Sequence, residues 1–330
     1  MAAIAFALLS AFGFGWTNVF MQLGLRGARL SPFTALLVNL VGGTVALAVV
    51  IPALGAFPSG GVSWVGVLYF ALSGLVAGLA GQAANFAAID RIGATRTASF
   101  VMTDNVFALV LAFVVLGQSI SLMSGAGILI LMLGAMAFIR ETAGNNAGAV
   151  PAAPGSPGTG LLQDAAVVTG GGAAAGDPVA AMARRRAGIA LAVVSGFLFA
   201  TAGIFRALGV AVMPAALMGA GINNAAALVA MLVAYAVMGR LREPLAVGWK
   251  RGVPLLLSGA ASAVGTAGFI LALQYGGTVA VSTALKNTAP LFTFVLAIWL
   301  LHRHERLNVR VAFLVALVVV GGVLAALGRT

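Results

Sequence analysis

Val279-Ala-Val-Ser-Thr-Ala-Leu-Lys-Asn-Thr-Ala-Pro-Leu-Phe-Thr-Phe-Val-Leu-Ala-Ile-Trp-Leu-Leu301 is an apolar run interrupted by one cation, Lys286, and one proline, Pro290. At about 1.5 Å per helical residue it can cross the roughly 30 Å hydrocarbon core of a bilayer. Pro290 cannot donate to the carbonyl four residues earlier, that of Lys286, so a helix here should kink beside its only charge. A lysine at bilayer depth costs about 2.5–3.5 kcal/mol on insertion scales, so one kept there is a functional candidate. The surrounding chain has the same character. Of its 330 residues 62% are hydrophobic and 8% charged, against roughly 25% charged in a soluble domain. A soluble globular protein is excluded, and a multi-pass protein of the cell membrane, in contact with the lipid bilayer, is predicted.

Outward from that run, a window of about 19 residues predicts ten apolar segments, at 2–22, 33–54, 65–88, 97–117, 122–139, 187–205, 214–238, 253–273, 279–301 and 311–327. The first lacks the basic leader and clear cleavage site of a secretory signal, so it is expected to stay as a span. Between the fifth and sixth segments, Val150-Pro-Ala-Ala-Pro-Gly-Ser-Pro-Gly-Thr-Gly160 and Thr169-Gly-Gly-Gly-Ala-Ala-Ala-Gly176 have a composition that builds no packed core. The expected organisation is a five-helix unit over 1–140, a flexible linker over 141–186, and a second five-helix unit over 187–330.

The two units match when slid by about 185 residues. Ser10, Phe12, Phe14, Phe20 and Gly24 fall on Ser195, Phe197, Phe199, Phe205 and Gly209, and Asn39 falls on Asn224; Gly81, Ala88 and Gly93 fall on Gly265, Ala272 and Gly277. An odd number of spans per unit inverts the second relative to the first. The fold class expected is therefore an all-α membrane protein of ten transmembrane helices arranged as two inverted five-helix repeats. The charges give the orientation. The chain holds 18 Lys and Arg against 7 Asp and Glu. The cations outside the spans, among them Arg91, Arg140, Arg184, Arg240, Lys250 and Arg310, fall on the side of the linker, with only Arg206 and Arg329 opposite. The positive-inside rule then predicts a cytoplasmic linker and outside termini. It also explains the basic balance without nucleic acid, which is not expected as a partner.

Two ionisable residues stand inside the segments, Asp104 in the fourth and Lys286 in the ninth. Under the offset, Lys286 maps to Val101, three residues before Asp104, so the two occupy neighbouring turns of one face on equivalent helices. Two readings stay open. In one they form a midplane site, Lys286 meeting a substrate carboxylate or phosphate and Asp104 an ammonium group or a coupling proton. In the other they are an internal ion pair that only neutralises itself. Asn105 and Asn287 beside them, the matched Asn39 and Asn224, Gln82 and Asn85 at helical spacing, and Trp16 one turn from Phe20 complete the candidate substrate-binding set. Single Asn and Gln residues in membrane helices otherwise serve helix–helix hydrogen bonds. Arg206, near the outer end of the sixth segment, is expected to snorkel to the surface rather than line a gate. Gly74, Gly78 and Gly81 form a small-residue ridge that permits close helix crossing.

The chain has no cysteine and no GxxxxGK[ST], HExxH or GxSxG motif, which removes disulfides, thiolate chemistry, an ATP motor and common hydrolase sites. His302 and His304, with Glu305, sit among arginines and make a poor metal site. No cofactor and no metal are expected, and the chain is not expected to be an enzyme.

The run from Ser282 to Leu307, followed by Val319-Val-Gly-Gly-Val-Leu324, resembles the drug/metabolite transporter superfamily, EamA type. There a proline-bearing ninth helix leads to a Gly-Glu-Arg-Leu-like turn and a last helix with a glycine; Pro290, Glu305-Arg-Leu307 and Gly321 match. Gln118 stands where the family often has Glu, and Asn105 where the equivalent helix carries Pro. The resemblance implies a ten-helix carrier whose central cavity alternates its opening, and relatives export amino acids, metabolites and drugs or carry sugar phosphates. It also implies cytoplasmic termini, opposite to the charge count. The function expected is a secondary exporter of a small polar or amphipathic metabolite, driven by a proton on Asp104 or by the substrate gradient alone. The alternatives are a carrier of a phosphorylated or lipid-linked substrate and, further off, a membrane enzyme or receptor-like scaffold.

Overall fold

The structure, a computed structural model, describes residues 1–25, 30–58, 60–119, 121–146, 178–301 and 309–328. Among these residues every regular element is helical. The first and second spans are α1 (Ala2–Leu25) and α2 (Pro32–Ala53). The third is composite: α3 (Trp64–Gly74), a π-helical stretch over Leu75–Gly81, and α4 (Gln82–Ile92). The fourth is broken into α5 (Ala94–Val101) and α6 (Asp104–Leu116), and the fifth is α7 (Leu122–Asn146). Then follow α8 (Pro178–Val212), α9 (Ala216–Val237), the short α10 (Arg242–Leu245) and α11 (Trp249–Gln274). The ninth span is broken into α12 (Val279–Lys286) and α13 (Ala289–Leu301), and α14 (Val309–Leu327) is last. Nine spans among the described residues are long and apolar enough to cross a membrane; the apolar part of α14, Phe313–Leu327, is shorter.

Three features differ from the sequence reading. Helices outrun the apolar segments: α7 continues to Asn146 and α8 starts at Pro178. Both ends of the 141–186 stretch are thus helical, because Ala, Met, Arg and Glu propagate a helix whether or not it lies in hydrocarbon. The ninth span breaks outright where only a kink was expected, and the fourth breaks with no proline to mark it. The third span widens into a π turn, a feature often found where a helix borders a functional cavity. Residues 147–177, the core of the expected linker, and the His302–Glu305 cluster lie outside the described residues.

Helices approach closely through glycine, as bilayer packing favours. A Cβ on Gly42 would strike the Leu256 backbone, and one on Gly13 would lie 2.5 Å from the Gly265 nitrogen, seating α2 and α1 against α11. At the far side α7 and α14 cross on Gly127 and Gly321, each against the partner helix's backbone. Under the offset of about 185 these contacts come in matched pairs. α1 lies along α11, and α8 along the third span; α2 crosses α11, and α9 crosses α3; α1 meets α13, and α8 meets α6. The contacts α2 with α9 and α7 with α14 each join a helix to its own counterpart, and α6 with α12 joins opposite halves of the two equivalent broken spans.

Candidate functional site

Between the two units lies a cavity of about 180 Å³ walled by the first four spans and by α8, α9, α11, α12 and α13; among the described residues α7 and α14 contribute nothing to its lining. The two broken spans bring their breaks together on it. In the fourth, Met102 and Thr103 separate α5 from α6; in the ninth, Asn287 and Thr288 separate α12 from α13. These are equivalent positions under the offset, and they are closed in the same way. Thr103 Oγ1 donates to the Phe100 carbonyl at 2.7 Å, and Thr288 Oγ1 to the Leu285 carbonyl at 2.7 Å. The backbone amides of both threonines bond the same carbonyls at 3.1 Å. A side-chain hydroxyl thus takes up a carbonyl left over where the helical ladder stops.

The breaks place the charges. Asp104 is the first residue of α6 and Lys286 the last of α12. A carboxylate at a helix N-terminus and an ammonium at a C-terminus are both favoured by the helix dipole. Lys286 Nζ lies 3.4 Å from Asp104 Oδ2, while Asn287 Nδ2 donates to Asp104 Oδ1 at 2.8 Å and to Asn105 Oδ1 at 3.1 Å. Both carboxylate oxygens are therefore occupied. Asp104 and Lys286 line the cavity as well as pairing, so the two readings of the sequence are not exclusive in geometry.

Asn287, Asn39, Asn224 and Gln82 also line the cavity. Asn39 donates to Ser258 Oγ at 2.8 Å, and Asn224 to the Leu40 carbonyl and Thr44 Oγ1, both at 3.0 Å. Three other candidates stand back from it. Asn105 is fully buried behind Asp104, donating to the Met102 carbonyl at 3.1 Å, so it splints the break. Asn85 is buried one turn beyond Gln82, where α4 packs on α8; its Oδ1 has no hydrogen-bond partner among the described residues. Trp16 stacks on Phe20 at 5.1 Å and meets Phe12 edge-on, in an aromatic cluster with Phe292 outside the cavity. Phe199 lines the cavity, and Phe205 stacks instead on Tyr69. Gln118 accepts from the Val279 amide at 3.1 Å and so closes the N-terminus of α12.

Arg206 corrects the sequence reading. It does not snorkel: α8 runs on to Val212, which holds Arg206 within the span, half-buried and lining the cavity. Its Nε donates to Ser73 Oγ at 2.9 Å and its Nη2 to Asn223 Oδ1 at 3.2 Å. Ser73 and Asn223 were missed in the sequence. The signal was available, since Ser73 and Ser258 stand at the same offset as Asn39 and Asn224.

The fold is shared with known proteins. A solved structure described only as the crystal structure of a protein aligns with 100% of this chain and 97% of that chain, at a TM-score of 0.66 and 16% identity, a likeness of fold. No curated protein sequence matches the chain. Residues 1–140, the part that supplies Asp104 and the first four cavity spans, match the model of the EamA-like transporter family. That likeness covers less than half of the chain, whose nine long apolar spans among the described residues are those of a multi-pass membrane protein.

Proposed function

We propose that the protein is a secondary transporter, independent of ATP, that exports a small polar or amphipathic metabolite by alternating access. Two inverted five-helix repeats, 1–140 and 187–330, rock about the cavity, with Lys286, Asp104 and Asn287 at its centre. One observation carries the reading: two spans break at equivalent positions and set a charge pair at their meeting point on the cavity wall. Interrupted helices at corresponding positions of two repeats are the usual pointer to a carrier's binding site. The matched helix contacts across the molecule support the inverted repeat. The export direction rests on the family resemblance. A proton delivered to Asp104 would remove the counter-charge from Lys286, which is how a proton gradient could be coupled to substrate release.

The test is counterflow into proteoliposomes preloaded with amino acids, sugar phosphates or cationic drugs and given no ATP. Uptake of one class above protein-free vesicles is expected. Chemical turnover of a substrate by detergent-solubilised protein, with no counterflow for any class, would sink the transporter reading in favour of an enzyme.

The linker is assigned to the cytoplasm and the termini to the outside because the basic residues, among them Arg91, Arg140, Arg184, Arg240 and Lys250, fall in the connections that follow the odd-numbered spans. The chain contains no cysteine, so single-cysteine labelling reads this directly. With an impermeant maleimide on intact cells, Leu54→Cys, an exposed position, should react. Arg140→Cys should react only after permeabilisation; the reverse pattern would invert the orientation.

A further inference from the structure

Three charged side chains line the cavity, Asp104, Lys286 and Arg206. The first two neutralise each other. Arg206 has no carboxylate partner among the described residues: its acceptors, Ser73 Oγ and Asn223 Oδ1, are neutral, and its guanidinium lies 5.5 Å over the Phe269 ring. Lys286 Nζ lies 6.0 Å from the centroid of the same ring, so both cations sit close to one aromatic side chain. A guanidinium carries five N–H donors, and among the described residues only Nε and Nη2 are engaged by protein. An uncompensated cation within a membrane span is costly, and such residues mark pathways for charge of the opposite sign.

The first unit shows that this cation is not needed to complete the packing. Under the same offset Arg206 falls on Met21, Ser73 on Ser258, and Asn223 lies one residue from the position matching Asn39. The counterpart trio is also assembled. Asn39 Nδ2 donates to Ser258 Oγ at 2.8 Å, and Ser258 Oγ lies 4.0 Å from Met21 Sδ. A serine and an asparagine thus frame the third residue in each unit. In one unit the frame holds an apolar thioether; in the other it turns a guanidinium toward the cavity. Met21 lines the cavity too, so the two ends differ in charge at equivalent places.

We infer that Arg206, oriented by Ser73 and Asn223, is an anion subsite, and that the cavity takes an organic anion whose carboxylate or phosphate group docks on Arg206 with Lys286 beyond it. Planar, forked donors suit both groups. This rests on the transporter reading for its role in transport, but the binding site stands apart from it and can be tested apart.

The experiment uses the full-length purified chain with succinate, glycerol 3-phosphate, leucine and choline as probes, read as the ligand-induced rise in melting temperature in detergent and as counterflow in proteoliposomes. The variant is Arg206→Met, which copies the first unit and should fold. Arg206→Gln, which can keep the bond to Ser73, serves if the methionine variant does not. Wild type should respond to succinate or glycerol 3-phosphate, and which of the two separates carboxylate from phosphate. The substituted protein should bind that anion roughly tenfold or more weakly, the loss expected of one charge-assisted hydrogen bond, with Arg206→Lys in between. Anion-dependent stabilisation without counterflow would uphold the subsite and overturn the transporter reading. A response to choline or leucine alone, or anion binding unchanged in the variant, would overturn the subsite.

Discussion

Lys286→Met should destabilise the folded protein by about 3–5 kcal/mol, because it leaves Asp104 as a carboxylate in a membrane core with its counter-ion gone. The Asp104 side chain is 4% exposed and that of Lys286 17%, so water replaces little of a lost counter-charge. Asp104→Asn should cost a similar amount, since it strands the ammonium. The double variant Lys286→Met/Asp104→Asn buries no charge and should recover most of the loss, which a double-mutant cycle on detergent melting measures as strong coupling. Simple addition of the two single losses would mean that the 3.4 Å pair carries no net interaction. Counterflow then separates the two readings of the pair. If Lys286 and Asp104 only neutralise each other, the double variant is stable and transports; if they handle substrate or a coupling proton, it is stable and inert. The second outcome is expected, because both residues line the cavity and sit at helix breaks.

Composition alone was enough to show membrane spans, because hydrocarbon length and apolar content are one-dimensional properties. The charge pair was legible for a related reason: Asp104 and Lys286 stand out against apolar neighbours, and one offset relates both units. Depth and phase were harder to read. The apolar segment around Arg206 ends at Phe205 by hydropathy, yet α8 continues to Val212. One turn or so of misplaced helix end turned a cavity residue into an expected surface one. The break at Met102 and Thr103 carries neither proline nor glycine, and its only mark is the match of Thr103 with Thr288. Asn105 and Asn85 differ in the opposite direction, standing back from the cavity. Polar side chains near the right charges or at the right spacing were included, but a helix buries most of its circumference in a bundle, and i, i+3 spacing does not say which residue the cavity reaches. Trp16 belongs to an aromatic cluster for which helical spacing is equally good.

Gly74→Ala and Gly259→Ala should be among the most damaging single-methyl changes at the described glycines, and should damage the protein alike. A Cβ on Gly74 would collide with the carbonyl oxygen of Asn223, and one on Gly259 with that of Asn39. In both cases the obstacle is backbone in the facing helix, so no side-chain rotation relieves it. Relief requires α9 to move off α3, or α2 off α11, at the contacts where these helices wall the cavity. Overpacking of this kind costs typically 1–3 kcal/mol and occasionally more, and a backbone obstacle puts these two at the upper end. Helix propensity works in the other direction, favouring alanine over glycine by about 1 kcal/mol. Gly125→Ala isolates that effect, since a Cβ there meets nothing within 4 Å. Melting in detergent should therefore fall sharply for Gly74→Ala and Gly259→Ala and hold or rise for Gly125→Ala. Function should then divide the twins. Displacing Asn223 disturbs the acceptor that orients Arg206, whereas displacing Asn39 disturbs the uncharged frame around Met21. Anion binding by the folded fraction should thus suffer more in Gly74→Ala. Equal melting temperatures for all three variants and wild type would mean that the helices are not seated as closely as the glycines imply, and the cavity walls would have to be redrawn.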